Sequence, residues 1–134
     1  MPPIFGKLNL KSQPEILVVN APLSFEPELA QLQGVTVVRD VKKAKAVHFA
    51  LVFATKQTEV DTLSKALAGK ADGDAILWFA YPKGTSKKYT CEFNRDSGWN
   101  TIRRLGFDSV RQVAIDDDWS ALRFRRVEHI KSAG

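Results

Sequence analysis

Several polar residues follow apolar segments of this chain, at positions where β-strands are expected to end. Residues 75–83 (AILWFAYPK) and 113–126 (VAIDDDWSALRFRR) each begin as an apolar run and continue into polar side chains. In open α/β sheets, ligands bind in the crevice outside the carboxyl ends of the strands. The candidate ligand-binding residues at this edge are Asn20, Thr55, Lys56, Lys83, Thr85, Ser86, Asp116 and Trp119.

Lys83 and Asp116 carry the charges that define this candidate site. Lys83 follows Pro82, so its ammonium group would lie at a rigid strand exit and suit a phosphate or a carboxylate. Asp116 would pair with Lys83 or accept hydrogen bonds from hydroxyl groups. A surface ion pair with turn-forming neighbours is the structural alternative, since paired charges are not diagnostic of a site. The pattern therefore predicts either a small anionic ligand or a surface ion-pair network.

Three consecutive aspartates, Asp116, Asp117 and Asp118, offer the oxygen ligands that a hard cation prefers. Adjacent side chains of an extended segment point in alternating directions, however, and aspartate is frequent in turns. The chain also has no cysteine and histidine spacing typical of a metal site. We therefore expect a turn between two strands here, and no metal.

Arg123 and Arg125 form a basic face on the last strand, because alternate residues of a strand share a face. Such a stripe binds the phosphates of nucleic acids, and it equally protects an edge strand from pairing with other chains. The net charge of +5 fits a polyanionic partner but is common on proteins without one. RNA-binding signatures are missing, so nucleic acid is left as an open alternative.

Candidates for nucleophilic catalysis are few. His48 lies near the start of the third strand, where a buried, hydrogen-bonded histidine is expected, and His129 lies in the C-terminal tail. Without a histidine at the carboxyl edge, a serine or cysteine nucleophile has no base. Cys91 is in phase with Tyr89 and Phe93, which indicates a buried apolar face. The sequence therefore predicts no catalytic residues.

The elements that position these residues follow from apolar periodicity and turn residues. Strands are predicted at residues 15–20, 35–39, 46–54, 75–81, 110–116 and 121–127, and helices at 25–32, 58–68 and 98–105. Thr58 and Asp61 resemble a capping box that opens the second helix. The last two strands are joined by too short a turn for a crossover, so they are antiparallel. This order predicts an α/β fold, a Rossmann-like, mostly parallel sheet with helices on both faces and an antiparallel C-terminal edge strand.

Length and composition are typical of one globular domain. The 134 residues predict a single domain over residues 1–134. No apolar run is long enough to cross a bilayer, and the first residues lack the apolar region of a signal peptide. A single cysteine excludes an internal disulfide and favours a reducing compartment. We therefore expect a cytoplasmic protein without membrane association, and its oligomeric state is left open.

Two motifs carry a resemblance to known families. Residues 78–83 read WFAYPK and residues 115–124 read IDDDWSALRF. The chain resembles a small bacterial family catalogued as a domain of unknown function, whose members share W-x-A-x-P-K and I-D-x-x-W-S-x-x-R-F segments. Its element order also resembles a shortened Rossmann-like, class I methyltransferase-like sheet. This resemblance implies a fold and implies no activity.

The loop after the first strand argues against a nucleotide-type cofactor. Such a cofactor needs glycines there so that the backbone can approach the ligand, whereas this chain has Asn20, Ala21 and Pro22. Lys83 and Gly84 also stand in the wrong order for a phosphate-binding loop. We therefore expect no cofactor, and binding of neither S-adenosylmethionine nor a dinucleotide.

Together these observations predict a non-catalytic binding or regulatory module on a degenerate nucleotide-type fold, with a small anionic ligand or a protein as its partner. One alternative is an enzyme or binder of a small anionic metabolite at the strand carboxyl edge. The other is a nucleic-acid accessory protein that uses Arg123 and Arg125.

Overall fold

A six-stranded sheet forms the centre of the computed structural model, which describes residues 3–131. The strands are β1 (Glu15–Val19), β2 (Thr36–Val38), β3 (Val47–Phe53), β4 (Ala71–Pro82), β5 (Phe107–Ala114) and β6 (Trp119–Arg126). Their order is β2-β1-β3-β4-β6-β5. The neighbours among β2, β1, β3 and β4 pair in parallel, whereas β6 is antiparallel to β4 and β5 is antiparallel to β6. The predicted fold class is confirmed.

Helices cover both faces of this sheet. They are α1 (Pro3–Lys7), α2 (Glu26–Ala30), α3 (Gln57–Lys70), α4 (Asn100–Arg104) and α5 (Val127–Lys131), and two 3₁₀ turns lie at Leu23–Phe25 and Val41–Lys43. Apolar residues of α3 and α4 join one buried cluster. Those of α1 and α2 join a second cluster on the opposite face. Among residues 3–131, no helix has the length and apolar character needed to cross a membrane.

The central strands are buried on both faces. In β3, Phe49 and Leu51 belong to the cluster beneath α1, whereas Ala50 and Val52 belong to the cluster beneath α3. In β4, Trp78 joins the α1 side. An apolar run without alternation is typical of a strand in the middle of a parallel sheet. This burial explains why the sequence pattern located these two strands well.

The start of α3 differs from the sequence prediction. The helix begins at Gln57 with Lys56 as its N-cap, so Thr58 lies within the first turn and does not cap it. The Glu59 carboxylate instead accepts hydrogen bonds from the backbone N–H groups of Thr55 (3.0 Å) and Lys56 (3.1 Å). A carboxylate near a helix N-terminus satisfies donors that have no partner within the helix.

Two further expectations are wrong. His48 is exposed on β3 and its Nε2 lies 3.7 Å from a carboxylate oxygen of Asp72, so it is no buried core histidine. The strand β6 lies between β4 and β5, so Arg123 and Arg125 do not protect a sheet edge. Strand order depends on long-range pairing, which the local pattern does not contain.

Gly98 is the glycine at which the backbone leaves least room for a side chain. Its φ is +95°, and an added Cβ would lie 2.6 Å from Phe93 Cβ and 2.7 Å from Gln57 Oε1. We expect Gly98→Ala to destabilise the protein by about 2 to 4 kcal/mol, through backbone strain and overpacking. Gly84→Ala is the control, since a Cβ there meets nothing within 4 Å. Equal denaturation midpoints for the two variants would contradict this prediction.

Candidate functional site

In the sheet, β1 and β3 are neighbours. From β1 the chain continues outward to β2 on one side, and from β3 it continues to β4 on the other side, so the topological switch point lies between β1 and β3. The crevice outside the carboxyl ends of two such strands is where open α/β sheets bind ligands. A pocket of about 450 Å³ lies at this point. We call it the switch-point pocket, and its lining residues are Asn20, Pro22, Leu23, Ser24, Phe53, Ala54, Thr55, Glu59, Tyr89 and Trp119.

Asn20 turns the chain directly after β1. Its φ is +60°, in the left-handed region that asparagine adopts more readily than most non-glycine residues. Its side-chain Nδ2 donates to the carbonyl oxygen of Phe53 at 3.3 Å, which ties the ends of β1 and β3 together. The chain therefore makes this turn without a glycine, and the missing glycine does not by itself close the crevice.

Glu59 is the charged side chain of the switch-point pocket. Its Oε1 is held by the N–H groups of Thr55 and Lys56, while its Oε2 has no hydrogen-bond partner within residues 3–131. No lysine, arginine or histidine of the described chain lines the pocket. The electrostatics therefore favour a cationic or neutral ligand, not an anionic one. The sequence prediction missed Glu59 because it assigned the helix cap to Thr58 and Asp61.

Aromatic rings form the opposite wall. Trp119 is 4% exposed, and its ring centroid lies 5.1 Å from that of Phe53 and 4.9 Å from that of Tyr89. The Trp119 indole nitrogen is buried without a hydrogen-bond partner in the described structure. Leu23, by contrast, is 88% exposed although it lines the same pocket. The pocket thus combines a rigid aromatic wall with an apolar side chain open to solvent.

Ser86 and Asp116 position this wall and do not line the pocket. One carboxylate oxygen of Asp116 accepts from the N–H groups of Asp118 (2.8 Å) and Trp119 (2.9 Å), which closes the turn between β5 and β6. Ser86 Oγ donates to Asp118 Oδ1 at 2.9 Å and accepts from Tyr89 N at 3.2 Å. The aspartates therefore form a turn, as the sequence predicts, and this turn holds the loop that carries Tyr89.

Lys83 and Thr85 line a different pocket, of about 350 Å³, together with Arg95 and Gln112. Among the described residues, Lys83 and Asp116 form no ion pair, and Asp116 Oδ1 instead accepts the two N–H groups of its own turn. The structure therefore divides the predicted cluster. Asn20, Thr55 and Trp119 meet at the switch-point pocket, whereas Lys83 and Thr85 lie elsewhere along the edge. Lys56 is exposed beside Thr55 at the start of α3.

Cys91 is partly buried, and this burial raises the pKa of its thiol above the usual range. A raised pKa leaves less of the nucleophilic thiolate at neutral pH. Within residues 3–131, no group of three histidine, cysteine or acidic side chains is placed to hold a metal ion.

Comparisons with known proteins identify the fold. The chain matches no protein-family model and no curated protein sequence. It is similar to a SAM-dependent methyltransferase from Aquifex aeolicus, with a TM-score of 0.63 at 12% identity over 92% of this chain and 88% of that one. It is also similar to the N-methyltransferase NodS from Bradyrhizobium japonicum, with a TM-score of 0.57 at 12% identity over 92% and 93% of the two chains.

A second structure of NodS, in complex with S-adenosyl-L-homocysteine, has a TM-score of 0.52 at 10% identity over 84% of this chain and 77% of that one. At these identities the likeness shows the fold alone. The class I methyltransferase-like sheet expected from the sequence is confirmed.

These neighbours correct the predicted function. The sequence predicted a non-catalytic module, with a binder of a small anionic metabolite or a nucleic-acid accessory protein as alternatives. That prediction is contradicted, because the structures that share this fold include an N-methyltransferase and a SAM-dependent methyltransferase. The prediction relied on the loop after β1, where the absence of glycine was taken to keep the backbone away from a ligand; Asn20 turns the chain there with a φ of +60°, and the pocket at this point stays open.

The two buried indoles of Trp78 and Trp119 differ in one interaction. Trp78 Nε1 donates to the carbonyl oxygen of Leu8 at 2.8 Å, whereas Trp119 Nε1 has no partner. We expect Trp78→Phe to cost about 1 to 2 kcal/mol more than Trp119→Phe in denaturant unfolding, because it leaves a buried carbonyl unsatisfied. Equal losses would show that the Trp119 N–H is satisfied in solution.

Proposed function

We propose that the switch-point pocket binds S-adenosylmethionine and that the protein is a methyltransferase. The observation that carries this proposal is the Glu59 carboxylate, the charged lining group at the point where this fold places its ligands. A negatively charged pocket suits a sulfonium ligand, whose positive charge distinguishes it from a nucleotide phosphate. The methyltransferases with the same fold support the choice of ligand.

The residues of the pocket fit such a ligand. The volume of about 450 Å³ is in the range of small-molecule sites. Tyr89, which packs against the buried Trp119, offers aromatic surface for a purine ring. Asn20, Ser24 and Thr55 offer the few polar groups that fix orientation in a mostly apolar site. Ala21 and Pro22 stand where glycines would allow closer approach, so we expect the ligand to lie farther from this loop than it would from a glycine loop.

S-adenosylmethionine supplies, when bound, a methyl group made electrophilic by the positive sulfur. The task of this chain is then to hold that charge and to exclude water around it. Glu59 is suited to the first role because two backbone N–H groups fix Oε1 and leave Oε2 without an internal partner. The rings of Phe53, Tyr89 and Trp119 are suited to the second, since Trp119 packs edge to face against Phe53 and at a tilt against Tyr89.

The class of methyl acceptor follows from the same lining. The pocket has no cationic side chain within the described residues, so a phosphorylated acceptor would meet no opposite charge there. Leu23 and Pro22 instead offer apolar surface, and Leu23 is largely exposed. We therefore expect an uncharged acceptor with an apolar part. The single cysteine supports a cytoplasmic location for this reaction.

The test is calorimetric titration of wild-type protein and Glu59→Gln with S-adenosylmethionine and with S-adenosylhomocysteine. We expect Glu59→Gln to weaken S-adenosylmethionine about three- to fivefold, as a partly exposed charge pair contributes about 1 kcal/mol or less. S-adenosylhomocysteine, whose sulfur is uncharged, should bind both proteins almost equally. Glutamine keeps the side-chain oxygen that caps α3, so the fold at this point is preserved.

Glu15→Gln is the matched control, since Glu15 is exposed at the start of β1, at the opposite end of the strand. Its affinities should equal those of the wild type. The proposal is wrong if neither compound binds the wild-type protein. An equal loss of both ligands in Glu59→Gln would remove the charge argument, because only one of them carries a positive sulfur.

A further inference from the structure

The sheet carries two arginines directly opposite each other, away from the switch-point pocket. Arg111 of β5 and Arg123 of β6 are cross-strand partners in the antiparallel ladder. Directly opposed residues place their side chains on the same face. Val113 and Ala121, two residues along each strand, belong to the cluster beneath α1, so the arginines are on that face as well. We call Arg111 and Arg123 the arginine pair.

Two acidic groups near the arginine pair are engaged by other arginines, while Asp96 lines the same pocket as Arg111. Asp74 binds Arg125 through both carboxylate oxygens, at 2.8 Å to Nε and 2.6 Å to Nη2. Asp108 accepts from Arg103 Nε at 3.2 Å. Within residues 3–131, neither member of the arginine pair has a hydrogen bond or an ion pair. Two like charges that face each other in this way destabilise a sheet unless something compensates them.

Arg123 is also partly withdrawn from water. Its side chain is half-buried, and its Nε is buried without a hydrogen-bond partner. Burial lowers the pKa of this guanidinium from its usual range, and the charges of Arg125 and Arg111 act in the same direction, while Asp74 opposes them. Arg111 is exposed and therefore reachable from solvent. A buried donor without a partner is costly, and the exposed Arg111 guanidinium beside it is open to an acceptor from solvent.

We propose that the arginine pair binds a doubly negative phosphate group, either free phosphate or a phosphomonoester. Guanidinium groups form paired hydrogen bonds with phosphate oxygens, and two of them balance two negative charges. Bound phosphate would also remove the repulsion across the β5–β6 ladder. Arg125 is not part of this site because Asp74 neutralises it, which distinguishes the pair from the arginine stripe read from the sequence. The site is independent of the switch-point pocket.

The experiment is a calorimetric titration of the protein with inorganic phosphate and with glycerol 3-phosphate. The chloride buffer is alkaline enough for both to carry two negative charges, since the second pKa of a phosphomonoester is about 6 and that of inorganic phosphate is higher. We expect Arg111→Gln and Arg123→Gln each to weaken binding about tenfold or more, which corresponds to about 1.4 kcal/mol. Arg104→Gln is the control, since Arg104 is an exposed arginine on α4. It should bind like the wild type.

Two outcomes would overturn the proposal. One is no measurable binding of either compound to the wild type. The other is equal binding by all four proteins, which indicates an adventitious ion only.

Thermal unfolding without phosphate checks the fold, because removal of Arg111 relieves repulsion and should leave the melting temperature unchanged or higher. If Arg123→Gln does not fold, the exposed Arg111→Gln decides the question alone. Glu59→Gln should bind phosphate like the wild type. A failure of the phosphate proposal is therefore distinguishable from a failure of the proposed function.

Discussion

The two central strands, β3 and β4, are apolar on both faces, and the rest of the structure depends on covering them. From Phe49 to Ala54 every residue is buried, as is every residue from Leu77 to Tyr81. Apolar area removed from water contributes about 25 cal/mol per Å², so neither face can be left open. Helices α3 and α4 cover one side, and α1 and α2 cover the other. The indole N–H of Trp78 fixes the N-terminal segment through the carbonyl of Leu8.

This constraint drives polar groups to the ends of the strands, where Asn20 and Glu59 line the switch-point pocket. Asn20 links the ends of β1 and β3, and Glu59 satisfies the first donors of α3 at the same edge. The aromatic wall depends on a second set of polar contacts. Asp116 and Ser86 hold Trp119 and Tyr89 in contact across a loop and a turn that are distant in sequence. Residues that looked like ligand contacts therefore act as supports for the pocket.

Acidic and basic side chains lie in different regions around the sheet, so each region suits a ligand of a different charge. The switch-point pocket carries a carboxylate, the pocket of Lys83 and Arg95 is basic, and the arginine pair lies in the middle of the antiparallel ladder between β5 and β6. A single ligand class does not suit all three. The net charge of +5 therefore says little about what the switch-point pocket binds, since the basic residues lie outside it.

The sequence by itself determined which segments are central strands and that the last two strands are antiparallel, because burial on both faces and a short connection leave local signatures. It also selected Asn20, Thr55 and Trp119, which follow or begin strands. Only the tertiary structure decided that Glu59 joins them and that Lys83 does not. The reason is that neighbouring strand ends are set by strand order and by hydrogen bonds between distant residues, such as Ser86 with Asp118. Those long-range contacts have no periodicity that a local pattern can reveal.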